Sequence, residues 1–338
     1  MIFNKIKKII LGSSLFFAIL LNAEHEASAV SISPPVIDVA VDPGVAIERS
    51  IIIDNETDKE RTYSVGVMNF EMTGEEGYQK FIPVEADKNI DLAGWIRYNE
   101  DKIAVRPKSA KKFIFTINIP SDADPGGHYA SIYFSTGVTE ADENKESGVG
   151  IQSQINSLIL LQVSGDVKES ASIDNFNLEY GSMLLSSLPV KFVYRMNNQG
   201  NVHIRPKGNI EIKNIFGKRT VLLDANSKNN RILPQNIRKI ESQWGDDLKY
   251  SSDPVNKFIE EVKYDFGNFA FGKYTARLDV VYGNGNGKFL SKELVFWVFP
   301  WKAILFSALF IIIILISSAT LIKKYNRWII KKHVQLAQ

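Results

Sequence analysis

The sequence predicts an all-β protein, two β-sandwich domains followed by a single transmembrane helix, and three observations carry the prediction. Short runs of alternating apolar residues recur between turn signals. The stretch Ala303 to Ile322 carries no charge and is long enough, at helical rise, to cover a bilayer's hydrocarbon layer. No cysteine occurs among the 338 residues, so stability must come from hydrophobic cores, and thiol catalysis and thiolate metal sites are excluded.

Residues 1–29 read as an export signal. Lys5, Lys7 and Lys8 precede an apolar core from Ile9 to Leu21, and Ala27-Ser28-Ala29 offers small residues for cleavage, so the mature chain is expected to start near Val30.

The first domain is expected over 30–165. Ala46 to Asp54 is rich in isoleucine; Tyr63, Val65 and Val67 alternate, as do Phe113, Phe115, Ile117 and Ile119, and then Ala130, Ile132 and Phe134. Asp42-Pro43-Gly44, Asn55 to Asp58, Thr73-Gly74 and Asp124-Pro125-Gly126 mark turns. Pro34 and Pro35 confine the first strand to an edge. The last strand ends in the continuous Leu158 to Leu161 run, which predicts burial on both faces. Trp95, in Leu92 to Ile96, is expected to pack within the sandwich. The acidic loop 139–148 reads as a solvated hairpin tip, because its carboxylates lack the ligand spacing of a calcium loop.

The second domain is expected over 166–299. Its strands include Val190 to Met196, Val202 to Ile204, Asn209 to Lys213, Thr220 to Leu223, Lys273 to Tyr282 and Phe289 to Val298, and Val255 to Val262 suggests a short helix. In Asn197 to Lys218, His203, Arg205 and Lys207 would face outward while Val202, Ile204, Ile210 and Ile212 face the core.

The transmembrane helix is expected over 303–322. Trp297, Trp301 and Lys302 stand at one end and Tyr325 and Trp328 at the other, where amphipathic rings favour the headgroup region. The tail 323–338 holds Lys323, Lys324, Arg327, Lys331 and Lys332 and no acid, which predicts a single-pass cell-membrane protein with its N-terminal domains outside and its tail cytoplasmic. The formal charge is +2, but setting aside three lysines and two glutamates of the leader and five basic residues of the tail leaves 32 basic against 36 acidic residues outside. That mildly acidic balance argues against nucleic acid as a partner.

Chemistry is sparse. The exported part contains only His128 and His203, and no Gly-x-Ser-x-Gly elbow or phosphate-binding glycine loop occurs. No catalytic, cofactor-binding or metal-ligating residue is assigned, no cofactor is expected, and the binding residues stay unknown. Two internal matches point to duplication: Pro107 to Phe113 aligns with Pro234 to Ile240, and Gly127 to Ser131 with Gly272 to Ala276. On the second match His128 stands opposite Lys273. Gly127 followed two residues later by Tyr129 suggests a tyrosine corner, and a lone histidine lacks the convergent partners that catalysis needs, so His128 is expected to be a structural or surface residue.

Ile32 to Gly44, then the Ile51 to Asn55 strand and the segment Arg106 to Phe134, resemble the immunoglobulin-like domain of Gram-positive WxL-interacting proteins and, more distantly, of periplasmic pilus chaperones. The resemblance covers about a third of the chain. It implies immunoglobulin-like sandwiches and a non-enzymatic surface protein whose first domain contacts cell wall or an envelope protein, with the membrane held through one C-terminal helix. The alternative it implies is a membrane-tethered chaperone or assembly factor for exported surface subunits. An exposed sheet edge could serve either role by accepting an added strand.

Overall fold

A computed structural model describes residues 30–82, 92–136, 153–247, 252–283 and 287–336, with the side chains of 330–336 excepted. The expected signal 1–29 and the acidic loop 139–148 lie outside the described residues. Contacts divide the chain into two units, the first ending at Ser164 and the second beginning at Gly165, with Glu71–Lys80 and Pro125–Gly127 counted in the second.

The first unit is a sandwich of two sheets. One sheet has the order β1 (Val30–Ser33), β3 (Ala46–Asn55), β8 (Ser109–Asn118), β6 (Ile96–Tyr98). The other has the order β2 (Val36–Val41), β10 (Gln154–Val163), β9 (Gly126–Thr136), β4 (Arg61–Thr73), β5 (Tyr78–Ile82), with β7 (Lys102–Val105) also on β4. This is an immunoglobulin-like arrangement, since the first, second, fifth and fourth strands of a seven-strand plan share one sheet and the third, sixth and seventh the other. The Pro34-Pro35 step splits the opening strand between sheets: β1 runs antiparallel to β3, and β2 runs parallel to β10. Both halves are edges, as the prolines require. Alternation sends Phe113, Phe115 and Ile117 of β8 and Ile132 and Phe134 of β9 inward, and Phe113 meets Phe134 edge to face across the two sheets at 5.3 Å. Leu158 to Leu161 are all buried: Ile159 and Leu161 belong to the core between the sheets, while Leu158 and Leu160, on the opposite face, do not. Trp95, in the one-turn helix α1 (Leu92–Trp95), is buried in this core.

The second unit repeats the plan. One sheet has the order β11 (Ala171–Leu178), β13 (Val190–Asn198), β16 (Ile237–Trp244). The other has the order β12 (Leu184–Leu185), β18 (Lys288–Val298), β17 (Gly272–Tyr282), β14 (Lys207–Asn214), β15 (Arg219–Asp224). Again the opening strand divides, β11 lying antiparallel to β13 and β12 parallel to β18. Phe192 and Phe296 join the two sheets at 5.6 Å.

Matching residues confirm that the units share a design. Lys108 and Gln235, each following the proline of the first internal match, both have positive φ, 49° and 58°. Phe113 and Ile240, six positions after those prolines, are both buried on strands that occupy the same place in each sandwich. Asn55 ends β3 and Asn198 ends β13, and both are fully buried. Each amide donates to the carbonyl four residues on, Lys59 at 2.9 Å and Val202 at 2.8 Å. Each also reaches the carbonyl two residues before the matched proline, Val105 at 3.0 Å and Ile232 at 2.9 Å, and each accepts from the backbone N–H two residues on.

The structure corrects three expectations. The second internal match slips by one residue: Gly126 and Gly272 share positive φ, 133° and 104°, and Ala130 and Ala276 share complete burial, so His128 stands opposite Tyr274 rather than Lys273. A slip of one exchanges the faces of a strand, and burial is what decides the register. Val202 and Ile204 are buried but form no strand, only a bridge from Ile204 to Ile232, because Asn198 takes the Val202 carbonyl out of any ladder. The short helix is longer than expected: α2 (Pro254–Gly267) starts at the Asp253 cap, whose side chain accepts from Val255 N, with Pro254 in the first turn.

From Trp301 a helix, α3 (Trp301–Leu336), runs through the expected span and into the basic tail. Its stretch Trp301–Ile329 is long and apolar enough to cross a membrane, and none of its most apolar window is buried against the rest of the chain.

Candidate binding edge

Outer sheet edges are where an immunoglobulin-like sandwich can bind through its backbone, and the two units treat the same edge differently. In the first unit β10 is covered by six paired residues, Leu158↔Val36 to Val163↔Val41. In the second, β18 pairs β17 over all eleven residues, but its other side meets β12 only at Leu184↔Trp297 and Leu185↔Val298. The reason lies in the connecting segment. Val36–Val41 supplies six residues of strand-forming sequence, whereas Glu179 to Pro189 supplies Leu184-Leu185 between serines and a proline.

Trp297 N donates to Met183 O at 2.7 Å and Phe299 N to Leu185 O at 2.8 Å, so odd-numbered residues turn their backbone groups toward the outer side. By the two-residue period of a strand, Phe289, Ser291, Glu293 and Val295 present their N–H and C=O groups there too, where no described strand pairs them. Even-numbered Leu294, Phe296 and Val298 point into the core, while Phe289, Val295 and Trp297 are exposed on the opposite face. The edge therefore offers backbone donors and acceptors beside apolar side chains, the combination that recognises an extended segment. Other edges of this unit are poorer templates: β11 carries a register shift between Ile173 and Asn175, β15 has six residues, and β16 carries Arg238, Lys239 and Glu241.

Pockets open among the described residues of this unit. One of about 460 Å³ is lined by Glu179, Met183, Val193, Arg195 and Lys239 among others. Beside it Lys239 Nζ lies 2.6 Å from Glu241, and that hydrogen bond holds the Glu241 carboxyl below its ordinary range and raises Lys239. Another, of about 350 Å³, brings together Arg205, Lys207 and Asp224. Of the polar trio expected to face outward, Arg205 and Lys207 meet there, and His203 is not part of the lining.

His128 is a structural residue. Its ring packs on Trp95 with centroids 4.7 Å apart, and Nε2 donates to Asp124 O at 2.8 Å. Tyr274 holds the matching corner by accepting from Phe271 N at 3.2 Å. Both tie the start of the strand to backbone a few residues upstream. Among the described residues no group of three His, Asp or Glu could hold a metal ion.

Sequence reasoning raised an exposed edge only in general terms and missed that it is β18. The shortness of the apolar run at Leu184-Leu185, set against Val36–Val41, was the available signal. It acquires meaning only when both segments are known to occupy the same place in a sandwich.

No family model matches the chain, and no curated protein matches it. Several solved structures do. A chaperone–tip adhesin complex of CFA/I fimbriae matches at 13% identity, 79% of this chain and 98% of that one, with a TM-score of 0.37. The class 5 fimbrial chaperone CfaA matches at 13% identity over the same shares, with a TM-score of 0.35, and the Escherichia coli chaperone DraB at 9%, again over 79% and 98%, with 0.34. Similarity this loose carries no functional argument, and the fold assignment rests on the strand order itself.

Proposed function

We propose that this chain is a non-enzymatic, membrane-anchored binding protein that takes up an extended segment of another surface or envelope protein along β18. One observation carries the reading: the edge that the chain covers for itself with six residues in its first unit is covered by two in its second. The first unit also indicates what fits, namely a short parallel strand of alternating apolar residues such as Val36–Val41. Main-chain hydrogen bonds would supply affinity, and Phe289, Val295 and Trp297 would select apolar side chains. The exposed apolar helix α3 supports anchorage, and the basic tail supports an orientation with both sandwiches outside. The placement of His128 in a corner supports a protein without catalysis. Such an edge would suit a WxL-interacting-type surface protein or a tethered assembly factor equally, since either holds a protein partner.

The test is crosslinking in intact cells from benzophenone on a single cysteine at Ser291, in a chain that has no cysteine of its own. A protein adduct is expected, and Glu293→Pro, which removes an outward N–H without touching the β17 ladder, is expected to abolish it. An adduct indifferent to Glu293→Pro would sink the edge. Co-sedimentation of the full chain with insoluble cell wall, undiminished in the same variant, would favour wall binding instead.

A further inference from the structure

We infer that α2 and the turn that follows it form a second membrane contact, seating the second unit on the lipid surface beside the point where α3 enters it. The inference rests on the reading of α3 as a spanning helix.

The apolar residues of α2 are Val255, Phe258, Ile259, Val262 and Phe266. At 3.6 residues per turn they fall within a stripe of about 100°. That stripe is not the packed face. Tyr264 and Glu261 point away from it, Tyr264 hydroxyl donating to Asp246 O at 2.9 Å and Glu261 pairing with Lys302, and Asp265, beside Phe258 at the stripe's edge, is the buried residue of the helix. Val255, Ile259 and Phe266 are 66%, 56% and 51% exposed. Immediately after the helix, Phe269 and Phe271 are 59% and 55% exposed around buried Ala270. So many uncovered large apolar groups in one place mark a surface that something outside the unit covers.

The occupant is identified by continuity with α3. Phe258, at the border of the stripe, meets Phe306 at 5.9 Å, and Lys302 lies over the Phe258 ring at 5.6 Å. Phe306 is five residues beyond Trp301, about 7.5 Å along the axis at 1.5 Å per residue. Phe258 thus sits at the depth where an amphipathic helix beds its apolar face between headgroups and acyl chains. On the other flank Phe271 meets Phe299, two residues before α3 begins, at 5.8 Å. Lysines and acids are nearly balanced on α2, with Lys257 and Lys263 against Glu260, Glu261 and Asp265, so apolar burial drives the contact and an anionic lipid is not required.

The experiment reconstitutes the full chain in phosphatidylcholine vesicles with an environment-sensitive NBD dye on single cysteines at Ile259, Phe266, Lys257 and Ile313. Dyes at Ile259 and Phe266 should shift to the blue and lose emission to lipid carrying a shallow doxyl quencher, whereas Lys257, on the opposite side of α2, should not. Adding phosphatidylglycerol should leave this pattern unchanged. Ile313 should be quenched by a deep doxyl. Quenching at Ile313 with Ile259 and Phe266 behaving like Lys257 overturns the seat while keeping the span. A blue shift at Ile259 without lipid quenching means that protein covers the stripe, and it also overturns the seat. Failure at Ile313 removes the spanning reading and the seat with it.

Discussion

Asn55 and Asn198 show how much a single buried polar side chain can organise. Each closes a loop by gathering carbonyls from two separate segments, at a site from which water is excluded. Removing the amide takes its donor from the Val202 carbonyl, while the Ile232 carbonyl keeps Ile204 N–H, so Asn198→Ala is expected to cost about 1–3 kcal/mol, read from urea unfolding of the second unit. A loss under ~0.5 kcal/mol would mean that the carbonyls find other partners. The sequence singled out Asn55 only as a turn residue and Asn198 not at all, because an asparagine in a surface turn and one holding a loop from within have the same local sequence. His128 illustrates the converse. Its missing catalytic partners pointed to a structural or surface residue and the corner was expected at Tyr129, whereas burial gives that place to His128, and its counterpart, Tyr274, could be recognised only from burial and backbone angles.

At the scale of elements, strands were the more legible part. The alternation in β8, β9, β17 and β18 predicts both their extent and their inward faces, since period two leaves no freedom about which residues are covered. The helix α2 was legible in its first two turns, Val255 to Val262, but not in its last, where Tyr264 and Asp265 turn to groups outside the helix and only the fold shows what they meet. Its buried acid makes a testable element of it. Burial raises the pKa of Asp265, with Lys302 opposing the shift and Glu261 adding to it. A carboxyl raised on folding costs stability wherever it is ionised, and that cost fades as pH falls through the folded pKa toward that of the unfolded chain. Asp265→Asn should therefore slow amide exchange across α2 at neutral pH, with the difference vanishing near about pH 4. A slowing that persists unchanged in acid would show that charge is not the cause.

For the whole molecule, two cores with no residue in common imply two folding units. Phe113→Ala and Phe192→Ala should each cost about 3–5 kcal/mol in their own unit and, in the full chain, move separate thermal transitions. If either substitution lowers both transitions equally, the units do not fold independently. Taken alone, the sequence determined the β class, the apolar span and the fact of duplication, because period, length and repeated turn residues are local properties that a chain carries into any environment. Only the tertiary structure decided the register of the second repeat and which sheet edge lies open. Those depend on what a strand meets across a sheet: β10 is met by six residues of its own chain and β18 by two, a difference that exists only once distant segments are brought side by side.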